Sequence, residues 1–175
     1  MKRIETKIII NASPAQVWAT LTDFPSYPAW NPFIVKLKGK AAEGSSLEVH
    51  LKIGDKAPQI FKPQVLACRP HQEFRWLGKL FVRGLFDGEH YFKLRQLPDG
   101  QTELTHGEQF TGLLSGLIFK MIGADTLQGF ERMNEALREQ VGAIHYTRSH
   151  AKTRSTQRLT ISDLVIFSAL SDTVN

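Results

Sequence analysis

Residues 123–144, GADTLQGFERMNEALREQVGAI, decide the fold. Leu127, Phe130, Met133, Leu137, Val141 and Ile144 recur at steps of three and four. That is the spacing of one apolar stripe along an amphipathic helix. Glu131, Arg132, Glu135, Arg138 and Glu139 fall largely on the other face, where Glu131, Glu135 and Arg138 can pair along the helix. Asp125 stands where a carboxylate would cap or complement a first turn. A helix of roughly 20 residues spans about 30 Å, the width of a small domain. No other stretch is both as long and as periodic. The rest of the chain therefore reads as a curved sheet that wraps this helix.

The hairpin that precedes it is the best-specified partner. Residues 87–97 and 101–111 flank Pro98-Asp99-Gly100. Proline suits the first position of a type I turn, and glycine suits the left-handed residue that closes a three-residue loop. If Leu97 faces Gln101, Leu94 faces Leu104, Phe92 faces His106 and His90 faces Glu108. These six share one face with Phe110. Glu89, Tyr91, Lys93, Arg95, Glu103 and Thr105 make up the other, which reads as a solvent face.

Further upstream the chain supplies more strands. Residues 2–10, KRIETKIII, alternate and then become apolar, a first strand with Ile4, Ile8 and Ile10 on one face. Ser13 and Pro14 are a natural N-cap and first helical residue, and Val17, Trp18 and Leu21 form one face of a short helix that stops near Asp23. Residues 24–33, FPSYPAWNPF, carry three prolines and four aromatics, which excludes a long helix or a central strand. A helical turn that covers one end of the core is expected. Strands follow at 34–38, at 47–53 in strict alternation, at 59–68 with Pro63 marking an edge or bulge, and at 73–77. Strands followed by a helix on one face make an α+β layer architecture.

The chain of 175 residues is enough for one domain with a sizeable core. Its apolar runs are too short for an integral membrane segment, which needs about 20 residues. Met1-Lys2-Arg3 is basic, but the alternating stretch behind it contains Glu5 and Lys7 and does not read as a secretory signal. The single cysteine, Cys68, excludes an intrachain disulfide and fits a reducing cytoplasm. The net charge of +5 is mild, and no basic block interleaves with aromatics, so no nucleic acid partner is inferred. From residue 146 to 157 Ser, Thr, Arg and Lys dominate, which reads as an exposed linker. Residues 159–170 are apolar again and fit either a short helix or a strand. The expected division is a ligand-binding domain over 1–146 and a basic, mobile tail over 147–175.

The chain resembles the START-like superfamily that includes the Bet v 1 allergens and the polyketide cyclase/dehydrase-like SRPBCC domains. The resemblance is carried by Ala12-Ser13-Pro14 with Val17-Trp18, by Tyr27 to Phe33, and by Trp76-Leu77-Gly78. It continues through Gly88 to Phe92, Thr102 to Gly112, and Gly129-Phe130 to Leu137. It implies the helix-grip fold, a curved antiparallel sheet of about six or seven strands around a long C-terminal helix, with two short helices after the first strand. It also implies a cavity between sheet and helix for a small hydrophobic ligand. No cofactor is expected.

Three polar groups interrupt the inner hairpin face: His90, His106 and Glu108. Buried polar groups are costly unless paired. One reading is a self-satisfied network, with His90 on Glu108 and His106 on a backbone carbonyl or water. The other is a polar end to an apolar pocket, which orients a ligand or serves as a general acid/base. Trp30, Phe33, Leu51, Trp76, Phe92, Phe110 and Phe130 are the candidate apolar walls. No G-x-S-x-G, phosphate-binding glycine loop or H-E-x-x-H occurs. The two histidines and Glu108 do not amount to an expected metal site. Three functions stay open at this level. They are binding of a small hydrophobic or aromatic molecule, cyclase/dehydratase-like catalysis by His90, His106 or Glu108, and protein interaction of the co-chaperone type. Leu80, Phe81, Val82, Leu85 and Phe86 form an apolar cluster that fits either a homodimer surface or a cavity rim.

Overall fold

A capped start, a proline break and a glycine-rich inner row shape the architecture. The computed structural model describes residues 1–79 and 82–171 in backbone, with side chains up to residue 147 apart from His145. The chain divides into two compact units, Met1–Val141 and Gly142–Asn175. In the first, β1 (Lys2–Ile10) leads to α1 (Pro14–Thr22) and α2 (Tyr27–Trp30), the latter preceded by a 3-10 turn over Phe24–Ser26. Pro14 opens α1, and the Ser13 amide donates to Gln16 Oε1 at 2.9 Å. Val17 and Leu21 are fully buried on its inner face.

Among the described residues, eight strands form two antiparallel sheets. The larger has the order β1-β8-β7-β6-β5, with β5 at Gln64–Arg69, β6 at Glu73–Lys79, β7 at Asp87–Gln96 and β8 at Thr102–Thr111. The smaller has the order β2-β3-β4, with β2 at Ile34–Lys38, β3 at Glu48–Leu51 and β4 at Gln59–Phe61. The single strand expected over 59–68 is therefore two, β4 and β5, which join different sheets. Pro63 sits at the break and cannot donate to a ladder, but its carbonyl accepts from the Leu47 amide at 2.9 Å.

The β7–β8 hairpin has the expected register: Leu94 faces Leu104, Phe92 faces His106, and His90 faces Glu108. Its outer face is not wholly solvated. Tyr91 is buried there, its ring laid over Gly107, where an added Cβ would overlap the phenol. The Tyr91 hydroxyl donates to Glu5 Oε2 at 2.7 Å and accepts from Arg3 Nε at 2.9 Å. Arg75 and Lys93 lie 5.2 and 5.1 Å from its ring centre. Alternation alone cannot reveal an aromatic ring that neighbouring cations and a glycine shelter.

α3 spans Ser115–Ser171. It starts well before residue 123, so Asp125 lies inside it and caps nothing. Within the first unit, Phe130, Met133, Leu137 and Val141 are buried, together with Thr126 and Asn134, whereas Leu127 is exposed. The buried stripe thus runs through Thr126 and includes a buried amide. Gly129 brings the helix against the Phe33 ring, which occupies the place of a Cβ. Phe33 in turn meets Phe130 edge-on at 5.4 Å.

In the second unit, residues 146–157 and 159–170 are helical in backbone, which differs from the linker read from composition. No glycine or proline follows Gly142. Alanine, lysine, arginine and glutamine in this stretch are good helix formers. Among the described residues, no helix is long and apolar enough to cross a membrane.

Candidate functional site

The inner face of the large sheet lacks side chains at two facing positions. Gly78 on β6 faces Gly88 on β7. A cavity occupies that gap, between the large sheet, the β3–β4 side and α3. Its wall includes Phe33, Leu51, Trp76, Gly78, Gly88, His90, Glu108, Phe110, Ile122 and Thr126. The space among these residues is largely apolar and partly open to solvent. A space partly open to solvent lies between sheet and α3, where the resemblance implies a closed cavity.

Six of the ten sequence-predicted site residues lie on this wall: Phe33, Leu51, Trp76, His90, Glu108 and Phe110. Four do not. Trp30 is half-buried on α2, and its indole donates to Ser26 Oγ at 3.1 Å. Phe92, His106 and Phe130 are buried behind the wall. Phe130 stacks on His106 with ring centres 3.9 Å apart, and Phe92 lies 4.5 Å from His106. Of the apolar cluster near residue 80, Leu80 and Phe81 lie outside the described residues. Val82 is exposed, and Phe86 lines the cavity and stacks on Phe110.

The polar groups form a chain. His106 Nε2 lies 2.9 Å from His90 Nε2, and His106 Nδ1 lies 2.9 Å from Asn134 Oδ1. Asn134 Nδ2 donates to Thr6 Oγ1 at 2.9 Å, and the Thr6 hydroxyl donates to the His106 carbonyl at 3.2 Å. At the cavity end, His90 Nδ1 is 3.6 Å from Glu108 Oε2, beyond hydrogen-bond length. Hence neither half of the simple network holds as expected: His106 bonds to His90 and Asn134, and Glu108 stands apart. Asn134 escaped the sequence reading because it is flanked by core positions on a helix, where a lone amide looks like a boundary residue. Thr126 escaped for the same reason. Its Oγ1 is buried without a hydrogen-bond partner.

Burial sets the charge states. Trp76 stacks on the His90 ring at 4.6 Å, nearly parallel, and desolvation pulls the His90 pKa down to about 3. His106 is held well below the ordinary imidazole value, first by burial and then by neighbouring His90, with the Asn134 bond opposing. Burial pushes Glu108 up to about 8. Its carboxyl leans over Gly88, where an added Cβ would overlap Oε1. Near neutrality the cavity is therefore bordered by neutral imidazole and neutral carboxylic acid. Among the described residues, no group of three or more His, Cys, Asp or Glu side chains is arranged to hold a metal.

An α+β sheet wrapped on a helix, with an apolar cavity between them, defines a ligand-holding fold. The chain belongs to the polyketide cyclase / dehydrase and lipid transport family, whose sequence profile matches residues 1–142. It is similar in fold to the ZhuI aromatase/cyclase from Streptomyces sp. R1128, with TM-score 0.66 and 13% identity over 81% of this chain and 93% of that one. A START superfamily protein from Mycobacterium smegmatis matches with TM-score 0.62 and 19% identity, over 81% of this chain and 98% of that one. Ara h 8.0201 matches with TM-score 0.63 and 14% identity over the same shares, 81% and 98%. No curated protein sequence matches the chain.

Proposed function

We propose that residues 1–146 bind a small hydrophobic or aromatic molecule in the cavity between the sheet and α3. The observation that carries this reading is the convergence of polar groups on one part of an otherwise apolar wall. His90, Glu108 and Thr126 border the same space as Phe33, Trp76, Phe86 and Phe110. Apolar walls supply affinity, and a few placed polar groups supply orientation. The Gly78–Gly88 row leaves room that ordinary strand residues would fill.

A second reading is proton-transfer catalysis on a carbonyl-bearing ligand, of the cyclase/dehydratase kind. It is favoured by one feature, a neutral imidazole beside a carboxylic acid whose pKa is pushed to about 8. Such a pair offers a base and an acid at the same pH. His106 cannot touch a ligand from behind the wall, so this reading assigns catalysis to His90 and Glu108 and leaves His106 in support.

Native mass spectrometry of the protein from its own host, with identification of the released small molecules, tests both. A stoichiometric apolar or aromatic compound supports binding and supplies a substrate for turnover assays. A protein that stays empty after challenge with a hydrophobic panel contradicts both readings.

A further inference from the structure

The hydrogen bonds that join Thr6, Asn134, His106 and His90 have a direction, set at the end far from the cavity. The Thr6 hydroxyl has one proton and donates it to the His106 carbonyl at 3.2 Å. Its lone pairs are left for Asn134, whose Nδ2 donates from 2.9 Å. The amide orientation follows: Oδ1 faces His106 Nδ1 and accepts from it at 2.9 Å. A neutral imidazole carries one N–H. His106 Nε2 is then the acceptor, and His90 Nε2, 2.9 Å away, is the donor. With its proton on Nε2, His90 turns a bare Nδ1 lone pair toward the cavity.

Glu108 Oε2 stands 3.6 Å from His90 Nδ1, too far to bond, and Thr126 Oγ1, buried without a partner, lines the same cavity. A ligand hydroxyl seated there donates to His90 Nδ1 and accepts from Glu108 or Thr126. An ether oxygen at the same place meets Nδ1 lone pair to lone pair.

We propose that Asn134 is a positioning residue: through His106 it holds His90 as a hydrogen-bond acceptor, so that the cavity prefers a ligand with a free hydroxyl to the same ligand with that hydroxyl capped. The ligand preference rests on the binding function proposed above, whereas the tautomer does not. The opposite polarity would move every proton one place along the chain and end with His90 Nδ1–H facing Glu108 Oε2 from 3.6 Å, too far for that donor to be satisfied. It would also deprive the His106 carbonyl of the Thr6 proton.

Nitrogen-15 NMR of the labelled full chain reads the tautomers directly. The expected result is a bare Nδ1 and a protonated Nε2 on His90, with the reverse on His106. A protonated Nδ1 on His90 overturns the proposal. Asn134→Leu removes the lock and should give His90 mixed tautomers. If that variant does not fold, Thr6→Val, at a half-buried site and of nearly equal size, frees the amide to turn over and should do the same. An unchanged His90 in a folded variant overturns the positioning role. Calorimetric titration with para-hexylphenol and its methyl ether supplies the second readout. The phenol should bind about tenfold more tightly, and the gap should shrink in Thr6→Val. Equal binding of both overturns the hydroxyl preference while leaving the cavity as a binding site. Binding of neither overturns the binding function itself, and the nitrogen shifts still decide the tautomer.

Discussion

His90 Nε2 and His106 Nε2 face each other at 2.9 Å, so one of these buried imidazoles must donate and the other accept. Aromatic rings flank both, with Trp76 on His90 and Phe130 on His106. Protonating His106 would set two N–H donors nose to nose, and protonating His90 at Nδ1 would put a charge in a desolvated core. The pair is therefore neutral over the ordinary pH range, and that has a consequence for stability.

Three groups should shape the pH profile of unfolding. Both histidines have lowered folded pKa values, so acid favours the unfolded chain, which takes up protons below about 6.5. Glu108 is the reverse case. Its folded pKa is raised to about 8 from 4.5, so its contribution is complete below 4.5 and is lost as pH rises to 8. The three together place the maximum near pH 6.5, with a loss of about 1.4 kcal/mol per pH unit above it until Glu108 ionises. Denaturant melts of wild type and Glu108→Gln from pH 5 to 9 check this. The variant should lack the alkaline fall up to pH 8.

Gly78 offers a way to fill the cavity without disturbing the fold. A Cβ there would meet only the Gly88 carbonyl at 3.8 Å and Pro63 Cβ at 3.9 Å, which are ordinary contacts. Gly78→Leu should keep the wild-type circular dichroism spectrum and lose ligand binding. Gly88→Ala should behave differently, because its methyl displaces the Glu108 carboxyl. It is expected to weaken binding less and to move the alkaline limb of the pH profile.

Gly129 inverts a familiar rule. Glycine to alanine inside an exposed helix stabilises by about 1 kcal/mol. Here the new methyl would overlap the Phe33 ring, so Gly129→Ala should destabilise by about 1–3 kcal/mol, as overpacking does. Phe33→Leu in the same background should recover part of the loss. Thermal melts of the two single variants and the double variant measure the coupling.

On the outer face, Tyr91→Phe removes the hydroxyl that bonds Glu5 and Arg3 but keeps the ring under its cations. A loss of about 1–2 kcal/mol is expected, as two hydrogen bonds to charged groups are removed at a partly wet site. Ligand affinity should not change, because the opposite face of the sheet holds the cavity. Urea unfolding and a binding titration on one sample separate the two effects.

The parts of this fold that were legible in the sequence were those written in periodicity or turn chemistry. The stripe from Phe130 to Val141 and the Pro98-Asp99-Gly100 turn give the helix, the hairpin register and the meeting of His90 with Glu108. The resemblance gives the wrapped topology. What periodicity cannot carry is how far a side chain reaches. Trp30, Phe92 and Phe130 have the chemistry of cavity walls, but Phe92 and Phe130 are used to enclose the imidazoles. The cavity itself arises from absent side chains, at Gly78 and Gly88, which a search for apolar residues passes over. Asn134 and Thr126 look like ordinary helix residues until the partner sheet shows what they face. Pro63 signalled a disturbed strand, but its effect, sending β4 and β5 into separate sheets, depends on long-range pairing.

The most direct test of the account is a parallel titration of wild type and Gly78→Leu with one apolar aromatic ligand from the host extract, read by native mass spectrometry. A one-to-one complex is expected for the wild type and none for the folded variant. Equal binding by the variant would place the ligand elsewhere and contradict the assignment of this cavity.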